Sequence, residues 1–295
     1  MSEKLNITSD KIAYKQIMAD LESLYINEFY TCENKCIHYA ECLDKTKEKA
    51  KGKTLVEQYN SDYTARVGQN FPLIINGREI RVVIVGKEGT KGEQQLRLPT
   101  RLIVWKDEKR VNRHYQETYK ILCEMLNYNW KYDEKCEKGK TKDNVKYCYK
   151  QDAVLTVYTL TNLYRCAFKD KEKINKNTTL DNPSEQTKNC LEILRQELKI
   201  LKPAILVLQN NVRATDIYPD AVQPADYTAN DKLYYSATSN CHIIKMCHPA
   251  VRNSSYQNKS VQEFREAVKY LRSKGFLPTE DTTDCLNNLD KQKNT

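Results

Sequence analysis

An α/β sandwich, with helices on both faces of a central four-stranded parallel sheet, is the fold class that the sequence predicts. Two observations carry this. Four apolar runs rich in β-branched and aromatic residues each end in a polar cluster: EIRVVIVGKEG (79–89), TVYTLTNLYRC (156–166), AILVLQNN (204–211) and CHIIKMCHP (241–249). Helical patterns stand between them, and strand alternating with helix implies right-handed crossovers and a parallel sheet. Ligands of such sheets bind outside the carboxyl ends of the strands. Gly86, Lys87, Glu88, Asn162, Gln209, Asn210, Asn211 and His248 then gather at one edge, the candidate active site.

The run 156–166 reads as the buried central strand. Val157, Tyr158, Leu160 and Leu163 favour a packed, pleated surface, and no Gly or Pro interrupts them. Before the sheet, residues 10–29 hold Ile12, Ile17, Met18, Leu21, Leu24 and Tyr25 at helical spacing, with Asp10 as N-cap. Residues 43–70 are Lys-rich and weakly patterned, an inserted helix and loop. The strand at 80–85 stops at Gly86, and the loop GKEGTKGE can bring backbone N–H groups close to a phosphate or a base. It matches neither GxxxxGK[ST] nor GxGxxG, which argues against a nucleoside triphosphatase or a dehydrogenase. Residues 96–105 read as an extra hairpin or edge strand.

A helix follows over 112–126 through Tyr115, Tyr119, Leu122, Met125 and Leu126. Residues 128–151 mix Lys with Tyr and read as an exposed insertion suited to a nucleic-acid backbone and to stacking. A further loop covers 167–181. Asn182, Pro183 and Glu185 then start a helix that Pro203 stops. Residues 261–271 form the closing helix, 1–280 form one domain with these insertions, and 281–295 read as a polar, disordered tail.

The chain carries a net charge of +9 over 295 residues, spread along its length, which fits either a solvated surface or a polyanion partner such as nucleic acid. No run reaches the ~18 apolar residues of a membrane span, and the start MSEKLNITSDK lacks an apolar signal region. A cytoplasmic, monomeric protein is expected. In that reducing setting eleven Cys point to metal or iron-sulfur ligation more than to disulfides. Cys123, Cys136, Cys148, Cys241, Cys247 and Cys285 have no tidy spacing and read as bystanders.

VVIVGKEG, TLTNLYRC, NPSEQTKNCLEILRQELKILKPAILVL and CHPAVR, in this order, resemble the uracil-DNA glycosylase superfamily, most of all its iron-sulfur branch, family 4, over about residues 30–271. The resemblance implies a monofunctional DNA glycosylase. Such an enzyme flips a pyrimidine from DNA, reads it by its Watson–Crick edge and by stacking, and cleaves its N-glycosidic bond. Carried over, Asn162 is the base-reading amide, His248 stabilises charge on the departing base, Pro249 fixes its loop and Arg252 reaches a phosphate. Gly86 and Asn210 join the substrate-binding set. The family's ligand set implies a 4Fe-4S cluster on Cys32, Cys36, Cys166 and Cys190, with Cys42 as an alternative to Cys36 and zinc as an alternative metal.

The first motif departs from the family's GEAPG, since Lys87 stands at the acidic position and Glu88 is displaced by one. Either Glu88 has taken over the acid role, or the base removed differs from uracil, or catalysis is lost. Tyr115 or His114 replaces the family's stacking Phe, with Trp105 behind them. The resemblance leaves open uracil or a modified cytosine, including hypermodified phage DNA, and so DNA repair or anti-phage defence. The alternative is a non-catalytic DNA-binding relative.

Overall fold

Valine and isoleucine fill the strand Val82–Gly86 (β5), which is buried on both faces and therefore belongs in the middle of a sheet. The computed structural model describes residues 5–31, 65–86, 113–129, 153–163, 185–210, 212–247 and 254–289. Within them the strands are Ile7–Ser9 (β1), Arg66–Val67 (β2), Leu73–Ile75 (β3), Arg78–Ile80 (β4), β5, Tyr158–Asn162 (β6), Ile205–Leu208 (β7), Leu233–Ser236 (β8) and Cys241–Lys245 (β9). The helices are Lys11–Thr31 (α1), Arg113–Leu126 (α2), Glu185–Leu201 (α3), Ala214–Ile217 (α4), Ser254–Ser273 (α5) and Thr283–Asn288 (α6).

The main sheet has six strands in the order β2-β6-β5-β7-β9-β8. The inner four, β6, β5, β7 and β9, run parallel, while β2 and β8 add antiparallel edges. This corrects the expected four strands. The parallel set was legible, whereas β2 is two residues long and β8 lies in a stretch with weak apolar alternation. It also moves TVYTLTN from the centre to the flank of the parallel set, with Ala153–Thr156 as a 3-10 turn before it. Residues 65–70, expected within an insertion, supply β2. The run 79–89 breaks at Arg81, where the chain leaves a small sheet, β1-β3-β4, and enters the main one. Arg81 marks the crossing: its carbonyl accepts from Ala204 and Ile205 N–H, and its guanidinium bonds Glu79 and the Leu201 carbonyl.

Side-chain alternation splits the core in two. Val82, Ile84, Tyr158, Leu160, Ile205, Val207 and Ile244 face α2, α5 and α6. Val83, Val85, Leu206, Leu208 and Ile243 face α1 and α3. The result is three layers, α/β/α, as predicted. Helix α1 begins where Asp10 Oδ1 accepts from Ile12 and Ala13 N–H at 3.0 and 2.9 Å, an N-cap as expected. Helix α3 ends in Lys202 at φ +47°, followed by Pro203.

Residues 281–289, expected as the start of a disordered tail, are part of the domain. Thr282 Oγ1 donates to the Leu126 carbonyl at 2.7 Å, the Tyr128 hydroxyl donates to Asn287, and Leu286 and Leu289 are buried. Polar composition hid the two leucines, which stand three residues apart in an otherwise polar stretch. Leu286→Ala should cost about 2–5 kcal/mol, as for other fully buried leucines. Urea unfolding measures it, and an unchanged midpoint would show that this segment does not hold the domain.

Candidate functional site

The strand order makes the site. From β5 the chain crosses over α2 to β6 on one side, then returns over α3 to β7 on the other. The carboxyl ends of β5 and β7 therefore form a topological switch point, where, among the described residues, the crossover helices leave to opposite faces. Gly86 ends β5 in register with Asn162, and Leu163 N–H donates to the Gly86 carbonyl at 3.0 Å. Gln209 N–H continues the ladder to the Val85 carbonyl at 2.9 Å. Strand alternation puts Asn162, Gly86 and Gln209 on the α2/α5 side. The Asn162 and Gln209 positions lie two strands apart, roughly 10 Å, with a residue that has no side chain between them. This slot is on the scale of one heterocycle.

The asparagines at this edge have different fates. Asn210 is buried, its Nδ2 donates to the Val85 and Gly86 carbonyls at 3.3 and 3.2 Å, and its Oδ1 accepts from Val212 N–H at 2.9 Å. Its amide pins the end of β5 to the β7 loop. Asn162 is half-buried and has no hydrogen-bond partner among the described residues. A side-chain amide carries both a donor and an acceptor, and no described residue engages either one of Asn162.

Gln209 is fully buried, and among the described residues its amide meets the Thr118 hydroxyl, at 3.3 Å from both Oε1 and Nε2. Thr118 lies on α2, whose first turn holds His114 and Tyr115 four and three residues earlier, positions that share its side of the helix. On α5, buried Ser260 Oγ accepts from Cys247 N–H at 2.9 Å and anchors the chain one residue before His248. Thr118 and Ser260 were missed in the sequence. Their signal was a polar residue on a buried apolar stripe, Thr118 with Leu122 and Met125, and Ser260 with Phe264 and Ala267.

Glu88, His248, Pro249, Arg252, Cys32, Cys36, Cys42, Cys166 and Trp105 lie outside the described residues. Of the four expected thiolates, Cys190 is the described one, buried in α3. The other described histidine backbone of interest, His242, sits at the opposite end of β9. It packs between Tyr235 and Phe276 at ring-centroid distances of 4.8 and 4.1 Å.

Among the described residues the fold is a doubly wound α/β sheet whose switch point lies between the carboxyl ends of β5 and β7. The chain belongs to the uracil DNA glycosylase superfamily, whose sequence model matches residues 75–272, two thirds of the chain. The match runs from β3 into the last turns of α5 and so contains Gly86, Asn162, Gln209 and His248. Among curated proteins, none matches the chain at a significant level. No described helix is long and apolar enough to cross a membrane.

Burial, with the Arg78 charge adding to it, pushes the His242 imidazole down to about 4. An unfolded imidazole takes its proton near 6.5, so His242 contributes full stability above about pH 6.5 and loses it as pH falls toward 4. Urea unfolding at pH 7 and pH 4.5 should show the wild type losing about 2 kcal/mol more than His242→Phe over this window. Equal losses would show that His242 is not held neutral by the fold.

Proposed function

We propose that this protein is a monofunctional DNA glycosylase that removes a flipped pyrimidine, uracil or a modified cytosine, and leaves an abasic site. The observation that carries the reading is the Asn162 amide at the switch point, without a side-chain partner among the described residues and across Gly86 from Gln209. A side-chain amide offers one donor and one acceptor, the pattern of a pyrimidine edge. In the reaction, the bond from the sugar carbon to the base nitrogen breaks with its electron pair going to the base. Water supplies OH to that carbon, and its proton ends on the base. His248 donates to the base as negative charge grows on it, and Glu88, in place of the family's acidic residue, holds the water or faces the cationic sugar. Gly86 lets backbone come close to the substrate. Tyr115 or His114 stacks on the base and Arg252 meets a phosphate.

Incubation with DNAs carrying uracil, hydroxymethylcytosine or glucosylated cytosine, followed by alkaline cleavage of abasic sites, tests the reading and names the base. Cleavage of a modified cytosine but not of uracil would favour a role against phage DNA over repair. Binding without any base removal would leave the non-catalytic DNA-binding relative, which the altered Gly86-Lys87-Glu88 motif favours. Asn162→Ala should lower the single-turnover rate about 100- to 1,000-fold and erode base discrimination, because it strips the slot of its reading amide. A rate within a few fold of wild type would remove Asn162 from the reaction.

We also propose that Cys32, Cys36, Cys166 and Cys190 hold a 4Fe-4S cluster, which would staple separate segments together rather than take part in bond cleavage. The support is topological. Helix α1 packs on α3, and the Tyr25 hydroxyl donates to Glu197. Lys11 Nζ bonds Gln69 and Asn70, and Asn70 bonds Thr156 at the start of β6, so α1 runs toward the carboxyl edge while α3 runs away from it. Thr31 ends α1 about 9 Å beyond Tyr25, and Cys190 stands about 10 Å from Glu197 toward the same edge. Cys32 is the next residue after α1, and Cys166 comes three residues after Leu163. Purified protein should be brown and contain iron and sulfide, and Cys190→Ser should bleach it. Colourless protein with stoichiometric zinc would replace iron by zinc, and a folded metal-free protein would end the proposal.

A further inference from the structure

Lys245 closes β9 on the side of the sheet opposite the slot. Cys241 and Ile243, of the same strand parity, pack into the α1/α3 core, and Lys245 is in register with Leu208, one residue before Gln209. Half-buried, its ammonium has no ion-pair or hydrogen-bond partner among the described residues. The carboxyls around it are engaged elsewhere. Asp231 pairs with Lys232, while Asp216 accepts from Arg213 N–H at 3.0 Å and lies 3.9 Å from its Nε. Lys232 and Arg213 add positive charge beside Lys245, against the longer-range attraction of Asp231 and Asp216. Burial, with Lys232 behind it, holds the Lys245 ammonium below the ordinary lysine range. A cation so placed gains most from an anion that arrives from outside the protein.

We infer that Lys245, with Arg213 beside it, holds a phosphate of the DNA strand on the far lip of the crevice. The sugar-phosphate backbone then straddles the sheet edge: the extruded base enters the slot on the α2/α5 side, and a flanking phosphate is held on the α1/α3 side. Lys245 acts by positioning the strand. A phosphate contact fixes register on the nucleic acid and carries no base information. The inference rests on the glycosylase reading for its orientation, but its test does not need cleavage.

Fluorescence anisotropy with a labelled, undamaged duplex over a series of salt concentrations reads it directly. Loss of one phosphate contact removes about one released counterion, so Lys245→Gln should lower the slope of log affinity against log salt by about 0.9 and weaken binding about eightfold near 0.1 M salt. Lys245→Arg should restore both. Lys199→Gln, an equal charge loss on the exposed last turn of α3 at the opposite edge, should change neither. Thermal melts confirm that each variant is folded. An unchanged slope in Lys245→Gln, or an equal drop in Lys199→Gln, overturns the inference even if the wild type removes a base. A reduced slope in a protein that removes no base would sustain the phosphate contact and overturn the glycosylase reading, whereas no DNA binding by the wild type would overturn both.

Discussion

A carboxyl group with no access to solvent, that of Glu197, holds the architecture in register. Its two oxygens accept from the Tyr25 hydroxyl of α1 and, at 2.8 Å, from Thr161 of β6, and the Tyr25 oxygen in turn accepts from Ala65 N–H at 2.7 Å. Four segments far apart in sequence meet at one polar point inside the apolar layer between sheet and helices. Such a point specifies more than packing does. Apolar contacts tolerate a slide of a helix along a sheet, whereas a buried polar group left without its partner costs about 1–3 kcal/mol, more when charged. The height of α1 against α3, and of both against β6, is therefore fixed. Thr161 precedes Asn162, so the same constraint sets where the candidate base-reading amide stands at the edge.

That edge is open for a topological reason and shaped for a chemical one. Parallel strands must be joined by crossovers, and where successive crossovers leave to opposite faces nothing covers the strand ends between them. Gly86 adds no side chain between Asn162 and Gln209, while the Asn210 amide ties the Val85 and Gly86 carbonyls, which already accept from Gln209 and Leu163 N–H, to the next loop. One asparagine is consumed in making the rim rigid, and another is left with its amide unused. The contrast decides their roles better than residue type or position in a motif, since both close an apolar run in the sequence.

The fold was legible wherever a strand was buried on both faces, because such strands read as continuous apolar runs bounded by polar residues. Runs 82–86, 158–162, 205–208 and 241–245 are of this kind, and all four lie in the parallel set. The edge strands β2 and β8 were not legible, since an edge needs few apolar residues and takes its pairing from its neighbour. The C-terminal helix was masked by its polar composition, although Leu286, Leu289 and the Thr282 and Asn287 hydrogen bonds dock it. At the site, Gly86 and Asn162 could be read as strand-terminal residues. Thr118, Ser260 and the internal bonding of Asn210 could not, because they depend on which residue of a helix faces which strand end.

An unpaired amide at half burial is a liability that folding alone would remove. Replacing Asn162 by an apolar residue would extend a strand whose other inward residues on that face, Tyr158 and Leu160, already belong to the core. A chain ordered only for stability has no reason to stop the apolar pattern one residue before the edge, and sites of function are where such local rules are broken. The same holds for Lys245, which follows four buried residues of β9 and ends its strand as a cation among engaged carboxyls. Polar groups without partners among the described residues thus flank the same rim on opposite sides of the sheet, one suited to a base edge and one to a phosphate. A nucleotide carries both, at the two ends of its sugar, and under the proposed function a strand of DNA crossing this edge would satisfy the two at once.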